Sequence, residues 1–292
     1  MSAFKRIIAL SAAALAVCFA LSSCSAQKED NGVADEKNMK ISSAADLNGK
    51  AVAVQLRSAA DNYIVENNLT NYPKRYSDMS KAVQDLIDKK VAAVVVDSNY
   101  AKKLTDGVEG VKILDAVVGT VDYRFLLNKS DAKLADKLNE QIAAFRESED
   151  YAAMINSELA EGGSYRVAKD SDKELKKTLT FVTEPAFEPF VYINEKDEVS
   201  GLFVAAADAI AYGCGFKSDA KTVDPLERND AASGEESSLD PAFTTNEAQT
   251  VSGVKNSFCV VSVQAPEDSE AFITTDSFYT SELVMIIRTE KK

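Results

Sequence analysis

Few kinds of residue in this chain of 292 amino acids could do chemistry, and one kind is missing. There is no histidine. No Ser-His-Asp or Cys-His arrangement can be built from it, nor any zinc site that uses histidine. The cysteines are Cys18, Cys24, Cys214 and Cys259. Cys24 follows Leu21-Ser22-Ser23 at the end of an apolar run, Ile7–Leu21, that Lys5 and Arg6 precede. Small residues before a cysteine at that place form a lipobox. Its chemistry is thioether lipidation of Cys24 and cleavage just before it; the plainer reading is an ordinary signal peptide with an incidental cysteine. The apolar run is too short and too weakly flanked for a spanning helix. Cys214 and Cys259 either pair outside the cytoplasm or stay as thiols in two apolar neighbourhoods. Clustered carboxylates could serve general acid–base chemistry, but no pair here has a diagnostic spacing.

Charge narrows the partners. The chain carries 46 acidic against 33 basic residues, a net charge of −13. Loss of residues 1–23 removes Lys5 and Arg6 and no acid, so the mature surplus grows to −15. Nucleic acid is not an expected partner, because neutralising phosphates needs a basic face. The 46% hydrophobic and 27% charged content is that of a globular body, and the length suits two domains of modest size. Residues 24–40 are polar and aperiodic and read as a flexible tether. A lipid and a tether place the body outside the cytoplasmic membrane, anchored to it rather than spanning it.

The elements that must position a site alternate between strand and helix. AVAVQL (Ala51–Leu56) reads as a strand. A short helix follows with Ser58 as its N-cap. SKAVQDLIDKK sets Ala82, Val83, Leu86 and Ile87 on one helical face, and VAAVVVD (Val91–Asp97) is a β-branched run suited to a buried parallel strand. NYAKKLTDG reads as a helix ending near Gly107, VKILDA as an edge strand, and Asp122–Asn128 as a further strand. Two helices follow at 131–160, the first amphipathic through Leu134, Leu138, Ile142 and Phe145, and then a polar connector at 161–176. TLTFVTE begins a second α/β segment. It continues as a hairpin-like pair around Asn194–Asp197, a helix VAAADAIAYGCGF, and strands SDAKTVD, NSFCVVSV and SELVMIIR. Residues 225–256 are polar, and Glu227–Asp240 reads as an exposed loop. The alternation predicts an α/β fold with a largely parallel sheet.

Several stretches are specific enough to suggest a family. TLTFVTEPAFEPFVYINEKDEVSGL resembles the opening strand and ligand loop of family 3 extracytoplasmic solute-binding proteins, the polar-amino-acid receptors of ABC importers. TTDSFYTSELVMIIR resembles their first crossing strand. SAADLNGKAVAVQLRSAAD and KAVQDLIDKKVAAVVVDSNYA resemble parts of their second lobe. The helices at 131–160 resemble the usual C-terminal pair. The resemblance implies a two-lobed, type II periplasmic-binding-protein-like fold: mixed sheets flanked by helices, with a hinge of strands crossing near Thr120–Leu127 and Glu282–Arg288. It implies a lipoprotein signal peptide at 1–23, a tether at 24–40, a second-lobe-like domain at 41–124 and a first-lobe-like domain at 125–292. In the family the TEPAFEPF segment comes first; here the second-lobe material leads. SELVMIIRTEKK would join naturally onto NMKISSAADLNGK, which reads as a circular permutation with a connector such as 161–176 joining the usual ends.

The resemblance also names a ligand site. A receptor for amino acids needs a cation for the carboxylate, an anion for the ammonium, and an aromatic wall. Asp97, at the end of a buried strand, matches the ammonium-binding aspartate, and it could equally cap the helix that follows. Phe187 matches the aromatic that lies on the ligand, or packs in the core. Glu184 sits where some receptors for basic amino acids keep an aspartate, or is a solvated loop acid. The carboxylate half departs from the family. Asp268, in Ala265-Pro266-Glu267-Asp268, stands at the position of the gripping arginine and reverses its charge. Arg57-Ser58-Ala59 replaces a Gly-Thr-Thr turn, so Arg57 either supplies the missing cation or is a surface arginine. Phe203 and Ala205 replace two aspartates usual after the hairpin. With Asp97, Glu184 and Asp268 in one cleft, the expected ligand is cationic, or there is none.

Three functions compete. The first is a membrane-anchored binding lipoprotein that delivers an amino acid or cationic solute to an ABC transporter permease, with no cofactor or metal of its own. The second is a degenerate receptor acting as a cell-surface sensor or interaction module, which the altered carboxylate site and the acidic 225–256 stretch favour. The third is an enzyme on the same scaffold, such as a dehydratase, which would require turnover of a prephenate-like acid. The first is the reading taken forward, and it makes the protein no enzyme.

Overall fold

A computed structural model describes residues 40–160, 163–170, 174–175, 177–223 and 245–289. Cys24, the signal segment, nearly all of the tether and the Glu227–Asp240 stretch lie outside the described residues. The strands are β1 (Ala51–Gln55), β2 (Tyr72–Tyr76), β3 (Ala93–Asp97), β4 (Val111–Asn128), β5 (Thr178–Thr183), β6 (Tyr192–Ile193), β7 (Val199–Ser200), β8 (Lys217–Thr222), β9 (Ser257–Val261) and β10 (Phe272–Arg288). The helices are α1 (Ala59–Glu66), α2 (Met79–Ile87), α3 (Ser98–Thr105), α4 (Ala132–Arg146), α5 (Glu149–Glu158), α6 (Leu202–Gly213) and α7 (Asn246–Gly253).

Eight strands form one mixed sheet in the order β2-β1-β3-β10-β4-β9-β5-β8, and β6 and β7 pair by themselves. At one end β1, β2 and β3 are parallel; at the other β5, β8 and β9 are parallel. Between them run the two long strands, antiparallel to each other and to their outer neighbours. Each half is therefore three parallel strands bordered by the pair β4 and β10. Each half also sends its own fourth strand beside the other half's third: β4 lies on β9 and β10 on β3. That is a type II periplasmic-binding-protein-like α/β arrangement, with helices on the sheet's faces.

Local chemistry accounts for most elements. Ser58 caps α1 by accepting from the Asp61 N–H at 3.2 Å, and Asp78, Ser148 and Thr245 do the same for α2, α5 and α7. Ala135, Leu138, Ile142 and Phe145 form the buried stripe of α4. All five residues of β3 are buried, as a parallel strand covered on both faces requires. Three expectations need correction. The segments at 111–116 and 122–128 form one continuous strand, interior to the sheet rather than at its edge, because β10 pairs along its whole length. The edge on that side is instead β2, whose Pro73 and exposed Tyr72 suit an unpaired border. The polar stretch before β9 contains α7, which buries only Ala248 and Val251 among its described side chains.

The largest core cluster passes through both halves. Phe125 of β4 stacks on Phe278 of β10 with ring centres 4.4 Å apart and meets Phe258 of β9 edge-on at 4.8 Å. Register shifts in the β10–β4 ladder fall between Thr274 and Tyr279 and between Leu283 and Ile286. Such bulges bend and twist a strand. Side chains satisfy the backbone there: the buried Phe125 N–H donates to Thr275 Oγ1 at 3.0 Å, and Arg146 donates to the Ser277 carbonyl at 2.7 Å.

Candidate ligand-binding site

Ligands of open α/β sheets collect at the carboxyl ends of the strands. Here β3 ends at Asp97, directly against the long pair. Leu283 of β10 lies opposite Asp97, Ser281 opposite Val121, and Tyr279 opposite Tyr123 of β4. Side chains alternate along strands, so Asp97, Ser281, Tyr279 and Tyr123 share one face. All four are buried; Asp97 is 2% exposed.

One Asp97 oxygen, Oδ1, accepts the Asn99 N–H at 2.9 Å and caps α3. Asn99 Nδ2 in turn donates to the Tyr279 hydroxyl at 3.2 Å. The other oxygen, Oδ2, and Tyr123 OH have no hydrogen-bond partner of good geometry, while the Ser281 hydroxyl lies close enough to Asp97 and Tyr279 to act on both. Burial pushes the Asp97 carboxyl up to about 6. The Ser281 hydroxyl, the N–H groups of Asn99 and Tyr100 and the Lys102 charge oppose that rise without cancelling it. Burial and the Asp97 charge together raise the Tyr123 phenol well above its usual range and take Tyr279 to about 12.

A strap formed by residues 184–190 closes over this cluster from the other half. Phe187 and Val191 exchange backbone hydrogen bonds at 2.8 and 2.9 Å, which fixes the strap's shape. Gly201 sits at φ 115, and a Cβ there would collide with the Pro189 and Phe190 carbonyls, so only glycine lets the strap lie so close. Three contacts hold the strap to the first half. Gln55 Nε2 donates to the Ala186 carbonyl at 3.3 Å, Lys103 pairs with Glu188 at 3.2 Å, and Tyr100 meets Phe187 edge-on at 5.3 Å. The ion pair is exposed and contributes little. The rings contribute more, and Phe190 of the strap also meets Tyr123 at 6.0 Å and Tyr279 at 5.9 Å, with Tyr123 on Phe203 at 4.8 Å behind them. Outside the strap lies a groove of about 720 Å³, lined by Tyr100, Lys103, Leu104, Phe187, Glu188 and Tyr192 among others.

The residues singled out in the sequence are placed as follows. Asp97 is both strand-end acid and helix cap. Phe187 lies in the strap as an inter-half aromatic. Glu184 is half-buried; burial raises its pKa, the Glu247 charge adds to the rise and Arg57 opposes it. Arg57 is exposed, at φ 60, and its N–H binds Asp61 Oδ2 at 3.1 Å. The Ser58 hydroxyl is committed to its cap. Asp268 does not join the cluster. It sits exposed in a turn closed by Ser269 N–H on the Pro266 carbonyl. Lys129 reaches the Glu267 carbonyl beside it, at the Phe272 end of β10 and far along that strand from Leu283. Of the three acids expected in one cleft, Asp97 lies at the strand end, Glu184 interacts with Glu247 and Arg57, and Asp268 lies apart from both. Cys214 and Cys259 do not pair: the Cys214 thiol donates to the Lys137 carbonyl at 3.3 Å, and Cys259 is buried in a different core cluster.

Sequence reasoning missed Tyr100, Tyr123, Phe190, Tyr279, Ser281 and Gln55. Tyr279 and Ser281 stand in the quoted crossing segment, two apart, where strand alternation could have put them on one face. Phe203 was noted only as a lost acid; it fills that place with a buried ring.

Asp97 gives a testable sign. Its carboxyl is raised in the folded state, so folding favours the protonated form. That advantage is fully present below about pH 4 and is lost as pH rises towards 6, at a cost on the order of 3 kcal/mol at most. Asp97→Asn keeps the cap and removes the charge. Its Tm should exceed the parent's at pH 7.5 and match it at pH 4; equal Tm differences at both pH values would contradict the buried acid.

No protein-family model matches the chain, and no curated protein matches it either. Among solved structures, a phosphate ABC transporter phosphate-binding protein from Streptococcus pneumoniae superposes with a TM-score of 0.40 at 9% identity, over 82% of this chain and 90% of that one. The GluR0 ligand binding core in complex with L-glutamate gives 0.35 at 10% identity, over 83% and 86%. Full-length CbnR in complex with its target DNA gives 0.37 at 10% identity, over 84% of this chain and 65% of CbnR, so the chain spans just under two thirds of that protein. Likenesses of this size say nothing of what the chain binds.

Proposed function

We propose that this is a lipid-anchored extracytoplasmic solute-binding protein of the amino-acid ABC-importer type, without enzymatic activity, handing its solute to a transporter permease. The observation that carries the reading is the strap-covered cluster around Asp97. It lies where two half-sheets share their crossing strands, and it combines unpartnered polar atoms with an aromatic wall. The lipobox around Cys24 supports the anchor. Residues 41–124 and 125–292 correspond in this reading to the family's second and first lobes.

A circular permutation belongs to the same reading. The halves have matching strand patterns, so either can lead without changing the sheet. The end of β10 pairs beside the start of β4 through Arg288 and Val111, in the half that holds β1. A second reading is a receptor turned sensor or interaction module. The ring of Phe203 in place of an acid favours it, since that ring takes up cleft volume with the protein's own side chain.

Three outcomes follow. In calorimetry and thermal-shift assays of the mature chain, a panel of amino acids, amines and polyamines should contain at least one solute that binds and raises Tm; silence across the panel would favour the sensor. Cys24→Ala should move the protein from the membrane fraction to the soluble fraction, and an unchanged distribution would remove the anchor. A chain rearranged to start at Thr178 and run through Thr289 into Ile41 should fold with an unchanged circular dichroism spectrum; loss of folding would count against the permutation.

A further inference from the structure

The atoms left without partners restrict which solute could fill the site. Asp97 Oδ2 can only accept while ionised, and the Tyr123 and Ser281 hydroxyls, which can donate towards it, each keep lone pairs to accept with. Their side chains are each more than nine-tenths buried. A buried polar atom without a partner costs about 1–3 kcal/mol, and the Asp97 carboxylate oxygen beside the Tyr123 hydroxyl on one face can be satisfied by a guest that donates. An ammonium offers three N–H groups and a guanidinium five. The surrounding rings add attraction for a cation, since the faces of Tyr and Phe are electronegative.

The same surroundings are poor for a carboxylate. Lys103 is paired with Glu188 and Arg124 with Asp122, and Arg146 is bonded to the Ser277 carbonyl. Arg57 acts on Glu184. Lys102 reaches Asn99 Oδ1 at 3.4 Å and already acts on Asp97. The N-terminus of α1, where an anion would find free N–H groups, carries the chain's own carboxylate. Asp61 is buried there, accepts the Arg57 N–H and is held by Arg75 at 2.8 Å. An incoming carboxylate would meet that negative charge, with Arg57 already opposing Glu184 and Lys102 opposing Asp97.

Resting on the solute-binding reading above, we propose that the Asp97 site selects an organic cation that lacks a carboxylate: a primary amine or guanidine held through its charged head. Binding sets an ammonium against an ionised Asp97, so below pH 6 the guest must displace a proton from the closed form. The groups facing Asp97 are Ser281 and Tyr279 on β10, Tyr123 on β4, and Asn99 and Lys102 on α3.

The test uses matched pairs that differ only in the carboxylate: agmatine against arginine, and cadaverine against lysine. In calorimetry at pH 7.5 the decarboxylated member of at least one pair should bind tenfold or more tightly than its amino acid. Its affinity should fall about fivefold between pH 6 and pH 5, and Asp97→Asn should lower it at least tenfold at pH 7.5. An amino acid that binds as tightly as its amine would overturn the proposed class while leaving a solute-binding protein. No binding by these or any other solute of the wider panel would overturn the solute-binding reading itself.

Discussion

The antiparallel pairing of β4 with β10 runs from Phe272–Asn128 at one end to Arg288–Val111 at the other, and both halves of the sheet are built outward from it. Without it the three parallel strands on either side would each end at an open edge. The pairing also decides what can be brought together. It sets Tyr279 opposite Tyr123 and places Ser281 two residues from the partner of Asp97, so residues nearly two hundred apart in the chain share one face. The bulges along it bend the long strands, and side-chain hydrogen bonds from Thr275 and Arg146 keep the disrupted backbone satisfied. A frame this well satisfied makes the few unpaired atoms beside it more informative.

Those atoms lie at the boundary between two kinds of packing. On one side, Phe125, Phe258 and Phe278 form an apolar core whose neighbouring backbone is satisfied by Thr275. On the other, Tyr123 and Tyr279 bring hydroxyls next to a carboxylate that burial holds partly protonated at neutral pH and below. A pure core would not keep Asp97, since an apolar residue there would avoid the desolvation penalty. Its role as a helix cap explains one of its oxygens only. A hydroxyl-bearing residue at Ser58 or Thr245 caps a helix equally well with no charge to bury. The second oxygen needs another reason, and a guest that donates hydrogen bonds supplies one.

Much of the frame was legible in the sequence because local signals and burial agreed there. The β-branched run before Asp97 has one sensible fate, and the capping serine before α1 and the stripe of α4 point the same way. Legibility failed where an element owes its existence to its neighbours. VKILDA looks like an edge strand because its alternation is incomplete; only the pairing with β10 makes it interior. β2, with a proline and two basic residues among its five, has no intrinsic strand signal and is held by β1 alone. The site divided in the same way. Asp97 and Phe187 could be picked out by matching a pattern, whereas the rings around them are distributed over β4, β10, α3 and α6, and no local spacing joins them. Asp268 shows the opposite hazard. A position aligned by motif can be carried elsewhere by its loop, and the turn anchored near Lys129 carries this one to the far end of the long strand.

The strap adds a consequence for how such a site could open. Its three cross-contacts differ in strength. The exposed Lys103–Glu188 pair is screened by water and salt, and the Gln55 bond is long and leaves Gln55 Oε1 without a partner. The rings of Tyr100, Phe187 and Phe190 therefore do most of the holding, and their attraction needs no fixed registry of donors and acceptors. Rings can slide and repack at small cost, whereas the buried hydroxyls and carboxylate beneath them gain from any opening that admits water or a donor. The rings and the oxygens beneath them thus pull differently: the aromatic contacts favour close packing, and the buried oxygens favour a partner that donates. A cationic guest would relieve that opposition, satisfying the buried oxygens while keeping the rings in contact, so its binding energy and the closing of the strap would act in the same direction.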